Sequence, residues 1–258
     1  MVIEDTTRVK DYLNKTKLTT LDYVINPYVG CPHKCLYCYA SYMTSFSKHT
    51  EQWGDFVDVK HTNKKINIFK IKDKKVMIST VTDPYNFLEE KHRITRMILE
   101  QLVKSEAYIS VVTKSKLVLR DIDILQKMKH VEVALSVSTL DEELAKKLEP
   151  CSSTIQERLG TLKELKASGI KTVLFISPVL PYLTDYKAVI EATKDYVDEY
   201  WFDKLSLRSS FKTKMFGFID REYPEYKPFY NTIYMQKKII HFGIIYHLKL
   251  MNTADYTT

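Results

Sequence analysis

Short apolar runs alternate along the chain with longer amphipathic stretches. The runs are rich in β-branched residues, as in VMIST, YISVVT, VEVALSV and TVLFIS. Such runs are typical of strands that are covered on both faces of a parallel sheet. Strands are therefore predicted at residues 21–26, 75–81, 108–113, 131–137, 171–176 and 200–207.

The stretches between these runs repeat apolar residues at helical spacing. Helices are predicted at residues 91–106, 117–129, 155–168 and 186–197, and Gly169 is expected to end the third of them. Alternation of strands and helices is typical of βα units around a parallel sheet. The predicted fold is α/β, a partial (β/α)6 barrel of the TIM type with a C-terminal helical and aromatic extension.

The length of 258 residues fits a single domain. We expect residues 1–20 to form an N-terminal segment, residues 21–207 the barrel core and residues 208–258 the extension. Residues 42–74 are polar and predict a helix followed by an irregular excursion.

The extension begins with the basic and aromatic run FKTKMFGF. One interpretation is a helix that covers the open edge of the barrel with its aromatic side chains and leaves its lysines in water. The other is a surface that follows phosphates and stacks bases. His241 and His247 lie on an apolar stretch further on and are predicted to be core or edge residues rather than ligands.

The composition of the chain bears on its cellular location and on the charge of its partners. The first twenty residues contain no apolar run, and residues 239–248 are too short an apolar stretch for the roughly 20 residues that span a bilayer. We therefore expect a cytoplasmic protein without membrane contact. The net charge of +7 suits a polyanionic partner such as nucleic acid, and it equally suits lysines that are simply solvated.

The candidate chemistry begins at the sequence GCPHKCLYCYA, in which Cys31, Cys35 and Cys38 have the spacing C-x3-C-x2-C. Cysteine thiolates are the usual ligands of iron–sulfur clusters. Three of them hold three irons of a four-iron cluster and leave the fourth open. A structural zinc site completed by His33 or Cys151 is the alternative, since thiolates also suit zinc.

Polar residues stand where three of the predicted strands end, in the sequences STVTDPY, TKS and SVS. In barrels of parallel strands, the chemistry collects at the carboxyl ends of the strands. Hydroxyl, carboxylate and ammonium groups placed there suit an amino acid and a ribose as ligands. They equally suit the N-termini of the helices that follow, where Ser, Thr and Asp act as caps.

The cysteine spacing resembles that of the radical SAM enzymes. The phrases NPYVGCPHKCLYCYA, STVTDPYN, VVTKSKLVLRD, LEPCSSTIQERL and FISPVLP, in this order, resemble the spore photoproduct lyase-like group of that superfamily. The resemblance implies a [4Fe-4S] cluster on the three cysteines. It also implies that S-adenosylmethionine bound to the open iron is cleaved reductively to a 5'-deoxyadenosyl radical, which abstracts hydrogen from a substrate.

The resemblance also implies roles for individual residues. Tyr37 would lie beside the adenosyl group, and Thr82, Lys114 and Ser136 match positions that contact S-adenosylmethionine. Asp83 would help to fix the loop or the methionyl ammonium. Ser138 is a further candidate contact at the end of the same strand as Ser136.

One departure concerns the return of hydrogen to the product. In the lyases a cysteine at the end of the second strand is thought to do this with the help of a tyrosine after the cluster motif. This chain keeps the tyrosine as Tyr39 but has Thr80 at the cysteine position, and the O–H bond of threonine is too strong to donate hydrogen readily. Tyr39 and Cys151 are the candidate replacements.

The resemblance favours a damaged or modified nucleic-acid base as the substrate and a reductase such as flavodoxin or ferredoxin as the electron donor. A small molecule or a peptide is the alternative substrate. A metal-structured nucleic-acid-binding protein without catalysis is the alternative class. A monomer is expected.

Overall fold

The computed structural model describes residues 2–207, 209–234 and 248–249. The described residues form strands in two sheets: β1 (Ile3–Arg8), β2 (Leu13–Lys15), β3 (Tyr23–Ile25), β4 (Tyr28–Val29), β5 (Phe56–His61), β6 (Lys75–Ile78), β7 (Tyr108–Thr113), β8 (Val131–Ser136), β9 (Lys171–Val179), β10 (Glu199–Lys204) and β11 (Leu248–Lys249).

The larger sheet has the strand order β2-β3-β6-β7-β8-β9-β10-β11. From β3 to β10 every neighbouring pair is parallel, and the edge strands β2 and β11 run antiparallel. Val76, Val111, Val133 and Leu174 are fully buried in its core. The predicted partial (β/α)6 barrel is confirmed, with the six parallel strands at the six predicted places.

The helices cover this sheet: α1 (Glu89–His92), α2 (Ile94–Leu102), α3 (Ile122–Leu125), α4 (Glu142–Leu148), α5 (Ile155–Ala167), α6 (Tyr186–Thr193), α7 (Ser209–Glu222) and α8 (Lys227–Tyr234). Shorter 3₁₀-helices lie at Tyr39–Phe46, Ile68–Ile71, Lys116–Asp121 and Pro224–Tyr226. Helix α5 begins with a capping box between Thr154 and Glu157 and is followed by Gly169 at φ +75°, as predicted.

Two of the predicted helices are each interrupted in the structure. The helix predicted at 91–106 is two helices, because Arg93 adopts φ +53° and breaks the ladder between α1 and α2. The helix predicted at 117–129 is mostly a 3₁₀-helix that ends at Asp121, and α3 follows it. Helix α4 was not predicted, although Asp141 caps it by accepting from the Glu143 and Leu144 amides at 2.9 and 3.0 Å.

The smaller sheet was also missed. Strand β1 pairs parallel with β5, and β5 pairs antiparallel with β4. Strand β1 is exposed and polar, so it lacks the apolar alternation that predicts a strand. Strand β5 was missed as well, because residues 42–74 were predicted to form a helix followed by irregular chain. Its residues Phe56–Val59 are buried.

The FKTKMFGF run lies on α7, and its apolar side chains pack inward. Phe211 is buried, Met215, Phe218 and the following Ile219 are buried in a second apolar cluster, and Lys214 is exposed. This arrangement favours the interpretation of the run as a covering helix. His241 and His247 lie outside the described residues. In the described part of the chain, no helix has the length and apolar character that crossing a membrane requires.

A buried carboxylate joins the small sheet to the barrel. Glu89 at the start of α1 is fully buried and accepts hydrogen bonds from the Tyr28 hydroxyl of β4 and the Thr95 amide of α2. Its charge is balanced by the Arg120 guanidinium, with Nη2 2.7 Å from Oε1. Buried charges require such pairing, because desolvation without it costs several kcal/mol.

We predict that Glu89→Gln lowers the free energy of unfolding by about 2–4 kcal/mol, because Arg120 then loses one of its two buried carboxylate partners and keeps only Asp121, 2.8 Å away. The measurement is urea denaturation at neutral pH. The neighbouring Glu90 is exposed, and Glu90→Gln is the matched control with an expected change within about 0.5 kcal/mol. Equal stability of the two variants would show that the buried ion pair does not hold the sheets together.

Candidate active site

The three cysteines lie on the loop that follows β4. Strand β4 itself comes shortly after β3, so this loop leaves the carboxyl end of the first parallel strand of the barrel. Gly30 opens this loop with φ +90°, and a Cβ there would lie 2.2 Å from the Phe56 carbonyl oxygen. Only glycine fits this approach. The entry of the cysteine loop is therefore fixed against strand β5.

The loop is also tied to the far side of the barrel mouth. The Leu36 amide donates to the Leu148 carbonyl at the end of α4 at 2.8 Å, and the Cys151 amide donates to the His33 carbonyl at 3.4 Å. Lys34 forms a 2.5 Å ion pair with Asp55. These bonds hold the three thiols in one place relative to the strand ends.

Burial raises the pKa of all three cysteine thiols. The charge of Cys38 raises the pKa of Cys31 further, and the charges of Cys31 and Cys38 raise that of Cys35. Across the described ranges, no three His, Cys, Asp or Glu side chains converge as they would on one metal ion. A four-iron cluster takes each thiolate on a separate iron, and the C-x3-C-x2-C loop supplies three such thiolates.

Asp83 lies at the turn after β6 and is buried. Its carboxylate accepts from the Tyr85 amide at 2.9 Å, the Thr113 hydroxyl at 2.7 Å and the Lys114 amide at 2.8 Å. Burial lowers the pKa of the neighbouring His33, whose Nδ1 is 3.4 Å from Asp83. Asp83 thus fixes the loops that follow β6 and β7.

Lys114 and Ser136 meet at the ends of β7 and β8. The Lys114 ammonium donates to the Ser136 hydroxyl at 2.9 Å, and that hydroxyl donates to the Ser177 carbonyl at 3.1 Å. The same ammonium lies 5.9 Å from the centre of the Tyr37 ring. Thr82 is beside the loop but donates its hydroxyl to the Gly30 carbonyl at 2.6 Å.

Glu149 and Arg158 complete this group, and neither was predicted from the sequence. The Glu149 carboxylate accepts from the Tyr37 hydroxyl and pairs with Arg158 Nη2 at 2.5 Å. Burial alone would raise the pKa of Glu149, but Arg158 and Lys114 together lower it. Both residues lie within the LEPCSSTIQERL phrase, in which Cys151 alone was a predicted site residue.

Three buried polar atoms near the strand ends have no hydrogen-bond partner in the described part of the chain. They are Ser79 Oγ after β6, Ser138 Oγ after β8 and, on the cysteine loop, His33 Nδ1, which lies 3.4 Å from Asp83 Oδ2 without forming a hydrogen bond to it. Buried polar atoms are nearly always hydrogen-bonded in folded proteins. Unpaired atoms at this end of the barrel therefore fit a site that takes a polar ligand beside the thiols.

Tyr39 and Cys151, the candidate hydrogen donors, lie in different surroundings. The Tyr39 side chain is half exposed, and its hydroxyl donates to the Thr80 carbonyl. Asn26 holds Thr80 by accepting from the Thr80 amide at 2.9 Å. Cys151 is exposed on the chain after α4, and its thiol lies near the Lys34 ammonium.

Comparison with known proteins identifies the class. The family model described as the Radical SAM superfamily matches residues 25–192. An uncharacterized protein of Methanocaldococcus jannaschii is 37% identical over 218 residues, which cover 84% of this chain and 83% of that protein. An uncharacterized protein of Mycobacterium tuberculosis is 29% identical over 180 residues, which cover 63% of this chain and 51% of that protein.

Solved structures share the fold. A mutant of spore photoproduct lyase with bound AdoMet and dinucleoside spore photoproduct has a TM-score of 0.64 and 14% identity, covering 87% of this chain and 66% of the lyase chain. Streptococcus suis SuiB bound to S-adenosylmethionine has a TM-score of 0.52 and 19% identity, covering 81% of this chain and 47% of SuiB. This chain thus spans about two thirds of the lyase chain and about half of the mycobacterial protein.

The chain belongs to the radical SAM superfamily. It has the fold of spore photoproduct lyase, and it is an enzyme of the class that uses S-adenosylmethionine with an iron–sulfur cluster. Membership of this class displaces the interpretation of the chain as a non-catalytic binding protein.

Proposed function

We propose that Cys31, Cys35 and Cys38 hold a [4Fe-4S] cluster whose open iron binds S-adenosylmethionine. A bound, reduced cluster would supply the electron that cleaves a carbon–sulfur bond of the sulfonium. The product is a 5'-deoxyadenosyl radical, which abstracts hydrogen from a substrate. The observation that carries the proposal is that the three-cysteine loop, the Lys114–Ser136 pair and unpaired buried hydroxyls lie at one end of the parallel strands. The protein binds, orients and shields the reactants while the cofactors do the bond breaking.

Different side chains of this site bind different parts of S-adenosylmethionine. The Lys114 ammonium has three N–H donors and gives one to Ser136, so donors remain for the methionyl carboxylate. Ser138 and Ser79 offer unpaired hydroxyls to the ribose or the amino group. Tyr37 lies on the cysteine loop with its ring 5.9 Å from the Lys114 ammonium, and this ring would lie beside the adenosyl group.

Two observations support a damaged or modified nucleic-acid base as the substrate. The first is the likeness in fold to a lyase whose structure holds a dinucleoside photoproduct. The second is a row of exposed aromatic rings beside the cysteine loop, Tyr39, Tyr42 and Phe46. Exposed aromatic rings on a basic protein stack bases of single-stranded nucleic acid.

Tyr39 is the proposed donor or relay of hydrogen to the product radical. Its hydroxyl contacts the carbonyl of Thr80, the residue that stands where the lyases have their donor cysteine. Cys151 is the alternative donor, and its exposed position beside Lys34 makes it the weaker candidate.

We predict that an oligonucleotide with a deuterated, ultraviolet-damaged thymine pair transfers deuterium into 5'-deoxyadenosine when it is incubated with the reduced enzyme and S-adenosylmethionine. The measurement is mass spectrometry of the 5'-deoxyadenosine. The undamaged deuterated oligonucleotide is the control and should transfer none. If 5'-deoxyadenosine forms without deuterium from either oligonucleotide, the nucleic-acid substrate is wrong while the radical chemistry stands.

We predict that Tyr39→Phe lowers repaired product per 5'-deoxyadenosine formed by at least about tenfold, because the variant has no phenolic O–H to give; a positioned side chain that transfers a proton contributes about 10²–10⁴-fold in rate. Cys151→Ser is the matched variant and should keep the wild-type ratio. Both ratios come from single-turnover mixtures analysed by chromatography. The opposite pattern, a loss in Cys151→Ser alone, would assign the donor to Cys151.

A further inference from the structure

A buried carboxylate lies between the cysteine loop and the residues proposed to bind S-adenosylmethionine. Glu149 follows α4 and is only 4% exposed. Its partners come from three separate segments: the Tyr37 hydroxyl on the cysteine loop, Arg158 on α5 and the Lys114 ammonium after β7. Glu149 therefore links the cysteine loop to helix α5 and to the end of β7.

Arg158 fixes the position of this carboxylate. The guanidinium is 1% exposed, and three further N–H groups are bonded to the main chain or to a serine. Nε donates to the Ser153 carbonyl at 2.8 Å, Nη1 to the Ser136 carbonyl at 2.8 Å and Nη2 to the Ser152 hydroxyl at 2.5 Å. An arginine with so many bonds does not rotate away, so Glu149 stays where Arg158 holds it.

The charges in this group do not cancel. One carboxylate, Glu149, faces two cations, Arg158 at 2.5 Å and Lys114 at 4.0 Å. The shorter pair neutralises Arg158, so the positive charge of Lys114 is only weakly compensated. Lys114 is thus attracted into position by Glu149 while its ammonium stays available for a second anion.

We propose that Glu149 is a positioning residue that sets the Lys114 ammonium and the Tyr37 ring for S-adenosylmethionine. The inference rests on the proposed function, because it assigns the methionyl carboxylate to Lys114. Glu149 does not touch the bound molecule. It acts through Lys114 on one side and through the hydroxyl of Tyr37 on the other.

The test measures binding of S-adenosylmethionine to the cluster-loaded protein by anaerobic equilibrium dialysis. Glu149→Gln keeps the size of the side chain and removes its charge, so Lys114 loses its attraction and the dissociation constant should rise about tenfold. Iron and sulfide content should stay at the wild-type level. Glu143, exposed on α4, supplies the matched control, and Glu143→Gln should leave the dissociation constant unchanged.

A double-mutant cycle separates positioning from a merely structural role. In a Lys114→Met background, Glu149→Gln should change the dissociation constant by a smaller factor than it does in the wild type, because one of the two groups on which it acts is gone. Full, additive effects of the two substitutions would overturn the proposal, as would an unchanged dissociation constant in Glu149→Gln alone.

A second variant covers the case in which Glu149→Gln fails to fold. Tyr37→Phe deletes one hydroxyl and should weaken binding in the wild-type background, since it frees Glu149 and the Tyr37 ring from each other. The electron paramagnetic resonance spectrum of the reduced cluster should change less on addition of S-adenosylmethionine than in wild type. An unchanged affinity and spectrum would overturn the proposal. A wild-type protein that does not bind S-adenosylmethionine at all would instead refute the proposed function.

Discussion

The parallel register of six strands is the constraint on which the rest of this protein depends. Because β3, β6, β7, β8, β9 and β10 all run in one direction, their carboxyl ends meet at one edge of the sheet. This edge brings together residues that are distant in sequence, such as Cys35, Asp83, Lys114 and Ser136. The chemistry of the family is placed by topology before any side chain is considered.

Two buried ion networks then hold the loops at this edge. Glu89 joins the small sheet to the barrel through Tyr28 and Arg120, and Glu149 joins the cysteine loop to α5 through Arg158. Buried ion pairs contribute little net stability, because desolvation offsets most of the attraction, but losing one partner is costly. Such pairs therefore specify positions. In this protein they fix loops around the site.

The sequence was sufficient for the parts that depend on local pattern. Buried strands read as apolar runs, and β7 was predicted to the residue. The breaks came from single backbone conformations, as at Arg93 with φ +53°, which an apolar repeat does not encode. Glu149 was missed for a different reason: a lone Glu in a polar phrase reads as a solvated residue, and only the tertiary fold shows that Tyr37 and Arg158 enclose it.

The central claim is that the cysteine loop carries a cluster that cleaves S-adenosylmethionine, and one assay addresses it directly. The protein would be reconstituted anaerobically with iron and sulfide, reduced with dithionite, mixed with S-adenosylmethionine and assayed for 5'-deoxyadenosine, alongside Cys35→Ala. The account predicts that wild type forms 5'-deoxyadenosine and that Cys35→Ala does not. A wild-type protein that holds a reducible four-iron cluster and forms no 5'-deoxyadenosine would contradict it.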